Sequence, residues 1–244
     1  MVPAATTAVT TTVRFRTAPN AEVTSLSLQN ADSTALAEAQ PWREFRWRAG
    51  QKHYSGTYWS ATEGRHVVYE SRLELARLLF ADFDRSVLRI CAQPFLLVRE
   101  HRGSQAKHVP DYLLLTDNGP VVVDVKPAAR LGKPQVVSTF DWTRTVIEGR
   151  GWQFEVWSEP NEVELQNVRF LAGFRRRSLF DPALLAAIRS IPNEDLSIAK
   201  VIGELSDWPD GLTRSALFHL IWSGEFSVDI TRPLCRTSPL TRES

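Results

Sequence analysis

The stretch from Tyr112 to Val125 constrains the fold most, because two β-rich runs, residues 112–116 and 121–125, flank Asp117-Asn118-Gly119. Asn-Gly is a strong hairpin signal, since both central residues of a type I′ turn take positive φ. The sequence therefore predicts a tight antiparallel pair. With Asn118-Gly119 as the loop, Asp111 faces Lys126 and Leu113 faces Asp124. The period of two then puts Asp111, Asp124 and Lys126 on one face with Leu113, Leu115 and Val122, and Tyr112, Leu114, Val121, Val123 and Val125 on the other. A three-residue loop or a bulge would change that register. Both faces are apolar, so the pair reads as buried on both sides.

Two carboxylates and an ammonium at the ends of buried strands are costly unless they pair or bind a cation. One reading is a structural Asp–Lys pair at a sheet edge. The other is chemical: two carboxylates hold a hard divalent cation such as Mg²⁺ through oxygen, and the adjacent lysine orients or helps deprotonate water. Pro110-Asp111 followed by Asp124-Val125-Lys126 matches the PD-(D/E)xK nuclease signature, a layout for phosphodiester hydrolysis.

The 244 residues suit one domain plus a smaller second one, and a 43% hydrophobic content is ample for a core. The net charge of +1 gives no global attraction to polyanions, so any nucleic-acid contact must come from local patches. Cys91 and Cys235 are too few and too far apart for a disulfide framework or a zinc site, which suits a reducing cytosol. No apolar run has the length of a membrane span and the N-terminus lacks a secretion pattern, so the expectation is a cytoplasmic protein.

Residues 1–40 mix Thr, Ala, Ser and Asn with few large apolar groups, and read as a mostly disordered arm. Residues 42–47 (WREFRW) and 53–60 (HYSGTYWS) read as a strand pair sealing one end of the core, or as aromatic stacking and phosphate contact for nucleotides. Residues 69–83 form the clearest helix, with Leu73, Ala76, Leu79, Phe80 and Phe83 in one stripe. Glu74 lies beside that stripe, and Ser71-x-x-Glu74 also matches a capping box. Residues 87–99 read as a strand interrupted at Gln93-Pro94. Residues 135–148 form a second helix stopped by Gly149 and Gly151, and 154–157 a short strand. The order is α-β-β-β-α-β.

Residues 167–178, with Arg169 and Arg175-Arg176-Arg177, read as a solvated linker or a phosphate-contacting one. Helices then follow over 182–191, 194–205 and 212–222, and a short strand over 225–230. This suggests a small winged-helix unit whose helix 212–222 presents Arg214 and His219 to DNA, or a unit of the same kind that packs against protein.

Residues 42 to about 234 resemble the TnsA-type endonuclease subunit of heteromeric transposases. The carriers are HYSGTYWS at 53–60, YESRLEL at 69–75, AQPF at 92–95, VPDYLL at 109–114, VDVKP at 123–127 and LFHLIWSGEFSVDI at 217–230. The resemblance implies an α/β fold: a restriction-endonuclease-like αβββαβ core with a mixed sheet, followed by a small helical winged-helix-like C-terminal domain. The implied domains are a disordered arm at 1–40, a nuclease domain at 41–178, a winged-helix-like domain at 179–235 and a tail at 236–244. Implied catalytic residues are Glu74, Asp111, Asp124 and Lys126; some relatives carry glutamine where this chain has Asp124. Asp111, Asp124 and the Val125 carbonyl would hold Mg²⁺, or Mn²⁺, with Glu74 helping a second ion or orienting water. Arg175, Arg176, Arg177 and Arg214 are the candidate DNA contacts.

The implied activity is hydrolysis of the 5′ strand at each transposon end. Implied partners are double-stranded DNA, a separate DDE-type transposase that cuts and joins the 3′ strands, and an AAA+ ATPase regulator, in a bacterial cytoplasm and at the nucleoid when active. The alternatives are a stand-alone restriction or repair nuclease and a non-catalytic adaptor between DNA and transposase.

Overall fold

In a computed structural model the described residues are 10–43, 54–101 and 104–242. The chain divides into two compact units, one of residues 1–81 and 86–159, the other of residues 82–85 and 160–244. The protein is mixed α/β, and among the described residues no helix is long and apolar enough to cross a membrane.

The first unit opens with β1 (Thr10–Phe15), β2 (Thr24–Ser27) and the short helix α1 (Ser33–Ala37). The expectation of a disordered arm is thus corrected from Thr10 onward. Val13, Leu28 and Leu36 are buried in the same core as Phe95, Leu113 and Val122, so a few well-spaced apolar groups anchor a polar stretch. After it come β3 (Gly56–Ser60), β4 (Arg65–Tyr69), α2 (Arg72–Phe83), β5 (Val87–Ala92), β6 (Leu96–His101) and β7 (Ser104–His108). The unit closes with β8 (Tyr112–Thr116), β9 (Gly119–Val125), α3 (Ala128–Leu131), α4 (Pro134–Gly149) and β10 (Gln153–Trp157). β3 does form a strand, paired with β4, whereas residues 44–53 of the aromatic stretch lie outside the described residues.

Two four-stranded sheets organise this unit, in the orders β10-β9-β8-β5 and β2-β1-β6-β7. The first is mixed, because β10 runs parallel to β9 while β8 is antiparallel to both β9 and β5. Cys91, Leu113, Val122 and Phe154 from the first sheet, Val13, Phe15 and Leu97 from the second, and Trp142 and Ile147 from α4 share one apolar cluster. The element order α2-β5-β8-β9-α4-β10 follows the expected sequence, with β6 and β7 inserted after β5.

The central hairpin forms in a different register. Its turn is Asp117-Asn118, Thr116 pairs with Gly119, and of these residues only Gly119 has positive φ, at 100°. A type I′ turn is therefore excluded. The Thr116 hydroxyl instead accepts the Asn118 N–H at 3.2 Å and donates to the Gly119 carbonyl at 2.7 Å, a local alternative open to a threonine before a turn. Leu113 consequently faces Val122 rather than Asp124. The slip is even, so Asp111 and Asp124 stay on one face.

The interruption at Gln93-Pro94 is a corner between β5 and β6. Gln93 has φ of 48°, a left-handed conformation that costs a non-glycine residue about 1 kcal/mol or more. Three hydrogen bonds hold it there: its N–H donates to the Asp111 carbonyl at 2.8 Å, its carbonyl accepts from Trp42 at 2.9 Å and its side chain accepts from Arg43 at 3.2 Å.

The second unit contains α5 (Glu162–Leu171), 3-10 turns at Ala172–Phe174 and Arg177–Leu179, α6 (Pro182–Ser190), α7 (Ile198–Glu204), α8 (Asp210–Trp222), β11 (Phe226–Val228) and β12 (Leu240–Arg242). Residues 167–178 are therefore not a linker. Asn161 caps α5 by accepting from Val163 and Glu164, and buried Val168 and Leu171 place that helix inside the second unit, moving the division from 178 to 159. The expected C-terminal tail also changes, because β12 within it pairs antiparallel with β11.

Leu36→Ala is expected to lower unfolding free energy by about 2–5 kcal/mol, the cost of a buried Leu-to-Ala cavity. Urea unfolding measures this, and an unchanged midpoint would return residues 10–40 to the status of an arm.

Candidate functional site

The site lies where β8 begins and β9 ends. Asp111 immediately precedes β8, and its backbone N–H donates to the Val123 carbonyl at 3.0 Å, which fixes it beside the last residues of β9. Its carboxyl oxygen accepts the Val125 N–H at 2.7 Å. Burial pushes the Asp111 carboxyl up to about 8, helped by the negative charges of Asp124 and Glu74; the Val125 N–H and the Lys126 ammonium oppose the shift without cancelling it. Asp111 and Asp124 lie on one sheet face, and Glu74 and Lys126 are near enough to bear on the Asp111 charge.

Glu74 sits in the first turn of α2 and is fully engaged there. Its N–H donates to the Ser71 hydroxyl at 3.1 Å, and that hydroxyl donates back to its carboxylate at 2.9 Å. Its other oxygen accepts the Glu70 N–H at 2.7 Å. This is the capping reading of Ser71-x-x-Glu74, with the return bond made one residue before the cap. Burial raises the Glu74 carboxyl, and the hydrogen bonds from Glu70 and Ser71 act against that. The Tyr112 hydroxyl donates to the Glu74 carbonyl at 3.2 Å, tying the start of α2 to the start of β8.

Asp124, on β9, is only 2% exposed. Its two carboxylate oxygens lie 2.7 and 2.9 Å from Nε2 of His108, at the end of β7. A carboxylate only accepts, so Nε2 carries the proton. The His108 ring in turn meets the Trp142 ring edge-on at 6.3 Å. Sequence reasoning missed His108, since nothing local marks residues 104–108 as a strand returning across the inserted sheet. Lys126 donates its N–H to Trp157 at 2.9 Å, its carbonyl accepts the Ser158 hydroxyl at 2.8 Å, and its ammonium has no ion-pair partner among the described residues.

Among the described residues, no group of three or more His, Cys, Asp or Glu side chains is arranged to hold a metal ion. Asp111 and Asp124 nevertheless fit a Mg²⁺ ion in kind. Mg²⁺ is commonly held by about one or two carboxylates with water completing its shell, and crowded acids that retain a proton are the ones a cation relieves. The Val125 carbonyl stands beside them at the end of β9.

The expected DNA contacts lie in the second unit. Arg176, Arg177 and Arg214 are exposed, and the Arg175 guanidinium donates to the Ala172 carbonyl. His219 is a correction: it is 3% exposed, its Nδ1–H donates to the Phe174 carbonyl at 2.8 Å, and its ring stacks on Phe180 at 4.7 Å. Burial lowers its pKa, so it serves the core as a neutral ring.

Comparison with protein-family models and with curated proteins finds no match for the chain.

Two outcomes follow from the carboxyl cluster. Asp111 is raised on folding, so the folded protein keeps a proton that the unfolded chain loses between pH 3.8 and about 8, and stability falls as pH rises through that window. Asp111→Asn removes this loss: its melting temperature in metal-free buffer should match wild type below about pH 4 and exceed it increasingly towards about pH 8. His108→Ala should cost about 1–3 kcal/mol, because a buried carboxylate loses its donor. Chemical denaturation at neutral pH checks this second effect.

Proposed function

We propose that this chain is a metal-dependent DNA endonuclease of the TnsA type, acting as the 5′-strand-cleaving subunit of a heteromeric transposase. The observation that carries the reading is that Asp111 and Asp124 share one face at the end of a mixed sheet, with Glu74 and Lys126 near enough to act on the Asp111 charge and Asp111 raised to about 8 by burial and by its acidic neighbours. The order α2-β5-β8-β9-α4-β10 supports a restriction-endonuclease-like core. Helices α6, α7 and α8, followed by the antiparallel pair of β11 and β12, support a winged-helix-like C-terminal domain.

Asp111, Asp124 and the Val125 carbonyl would hold Mg²⁺ or Mn²⁺, with Glu74 at the margin. When bound, the ion supplies Lewis-acid polarisation of a phosphate oxygen and an acidified water. The protein's own groups do the rest. Asp111 would release its proton on becoming a ligand, and Asp124 is held by His108 through both carboxylate oxygens. Lys126, with no carboxylate paired to it among the described residues, is available to position water or offset charge on the phosphate. Double-stranded DNA with transposon ends, a DDE-type transposase and an AAA+ regulator are the partners this function requires.

One observation favours a second reading, a non-catalytic adaptor: Glu74 is committed to capping α2 and Asp124 to His108. Strand-resolved cleavage of labelled transposon-end DNA with Mg²⁺ separates the two. The nuclease reading expects partner-dependent 5′-strand nicking by wild type and a fall of about 10²-fold or more in Asp124→Ala, in the range of losses seen when one group stabilising transition-state charge is removed. Wild type that leaves the 5′ strand intact beside an active transposase would establish the adaptor, and cutting without the transposase would identify a stand-alone nuclease.

A further inference from the structure

A groove runs along α4 beside the inserted sheet. It comprises two cavities of about 460 and about 590 Å³ that share Arg99, Trp142 and Thr145. Thr11, Ser27 and Gln29 add polar groups to the first, and Pro134, Ser138 and Asp141 line the second. The lining reaches from Pro134 to Gly149, and a helix of 16 residues spans about 24 Å, roughly seven nucleotide steps of a single strand at ~3.4 Å each.

Among the described residues, Arg99 is the cation that lines this groove. Its guanidinium lies 5.1 Å over the Trp142 ring, which fixes its direction, and among the described residues it has neither an ion pair nor a side-chain hydrogen bond. A half-buried guanidinium held in place with its donors unengaged is suited to a phosphate. Between the groove and Lys126 the chain passes through α3 and the start of α4, carrying exposed Arg130 and Lys133. Neither has an ion-pair partner among the described residues, whereas Arg43, Arg65, Arg77, Arg89 and Arg144 are each paired with a glutamate. The opposite end of the connection is structural as well, since Trp142 also touches His108, the residue that holds Asp124.

We propose that Lys126, Arg130, Lys133 and Arg99 form a phosphate-backbone track for a DNA strand, leading from the carboxylate cluster into the α4 groove. This rests on the nuclease reading and assigns it a substrate path. The track meets phosphates and not base edges, so it adds affinity without sequence preference. Among the described residues, Asp141 is the one carboxylate lining the groove, and its charge opposes the strand.

The test is binding of the full-length protein to a fluorescent DNA duplex of arbitrary sequence, in EDTA, across a salt series. Arg99→Ala and the double variant Arg130→Ala/Lys133→Ala should each weaken binding several-fold, and lower the salt slope by about 0.9 for each phosphate that is no longer neutralised. Asp141→Asn should tighten binding. All of these changes except Arg99→Ala fall on exposed side chains, and Arg99→Lys, which keeps the charge, should recover most of the affinity. Wild-type binding with an unchanged slope in both cationic variants would overturn the track and leave the nuclease reading standing. Absence of any DNA binding by wild type would overturn the track, while the nuclease reading stands or falls on the cleavage assay. Displacement of the duplex by polyglutamate at equal charge concentration, with the same dependence on Arg99, would overturn the track in favour of an acidic protein segment.

Discussion

Two carboxyl groups, those of Asp111 and Asp124, lie on one sheet face where β8 and β9 meet, and neighbouring groups supply each with a donor. Asp111 and Asp124 share a sheet face, and Glu74 arrives from the first turn of α2, held there by the bond from Tyr112 to its carbonyl. Each acid has found a local donor: Val125 N–H for Asp111, His108 for Asp124, and Ser71 with Glu70 for Glu74. Those donors oppose the cost of burial and of the neighbouring negative charge without cancelling it, so the Asp111 carboxyl stays raised to about 8. A fold that tolerates this needs a compensation, since an apolar or amide side chain would stabilise the same strands better. On the proposed reading, cation binding would be such a compensation. It would also account for Lys126 lying near Asp111 with no ion pair among the described residues.

Much of the nearby architecture braces this point. The Gln93 corner accepts backbone strain to make a bond to the Asp111 carbonyl, and the inserted strands bring His108 over Asp124. The Arg77 guanidinium takes both oxygens of Glu155 at 3.0 and 2.8 Å, removing one further acid of β10 from the balance.

How much of this the sequence revealed depends on the range of the interactions involved. Helices α2 and α4 were legible because helical periodicity is local, and β8 and β9 because Asn-Gly stands between two β-rich runs. Glu74, Asp111, Asp124 and Lys126 were singled out by the motif and the resemblance, and the even slip of the hairpin leaves Asp111 and Asp124 on one face. The turn itself was not, because the Thr116 hydroxyl satisfies backbone groups that a type I′ turn would have arranged otherwise. Residues 10–40 looked disordered because their apolar groups are sparse, and only packing against distant Leu97 and Leu113 reveals that Val13, Leu28 and Leu36 suffice. His108 and the Arg99–Trp142 pair depend on strand pairing across the insertion, to which no local pattern points. In the second unit, His219 illustrates the opposite error: a helix-borne histidine that looked presentable is engaged by Phe174 and Phe180 in the interior.

On the proposed reading, a bound cation would take the place of the proton on Asp111. Calorimetric titration of Mn²⁺ into wild type near neutral pH, in two buffers of different ionisation enthalpy, counts protons released per ion bound. Saturable binding with close to one proton released is expected, together with loss of that release in Asp111→Asn. Absence of saturable binding, or binding with no proton release, would contradict it.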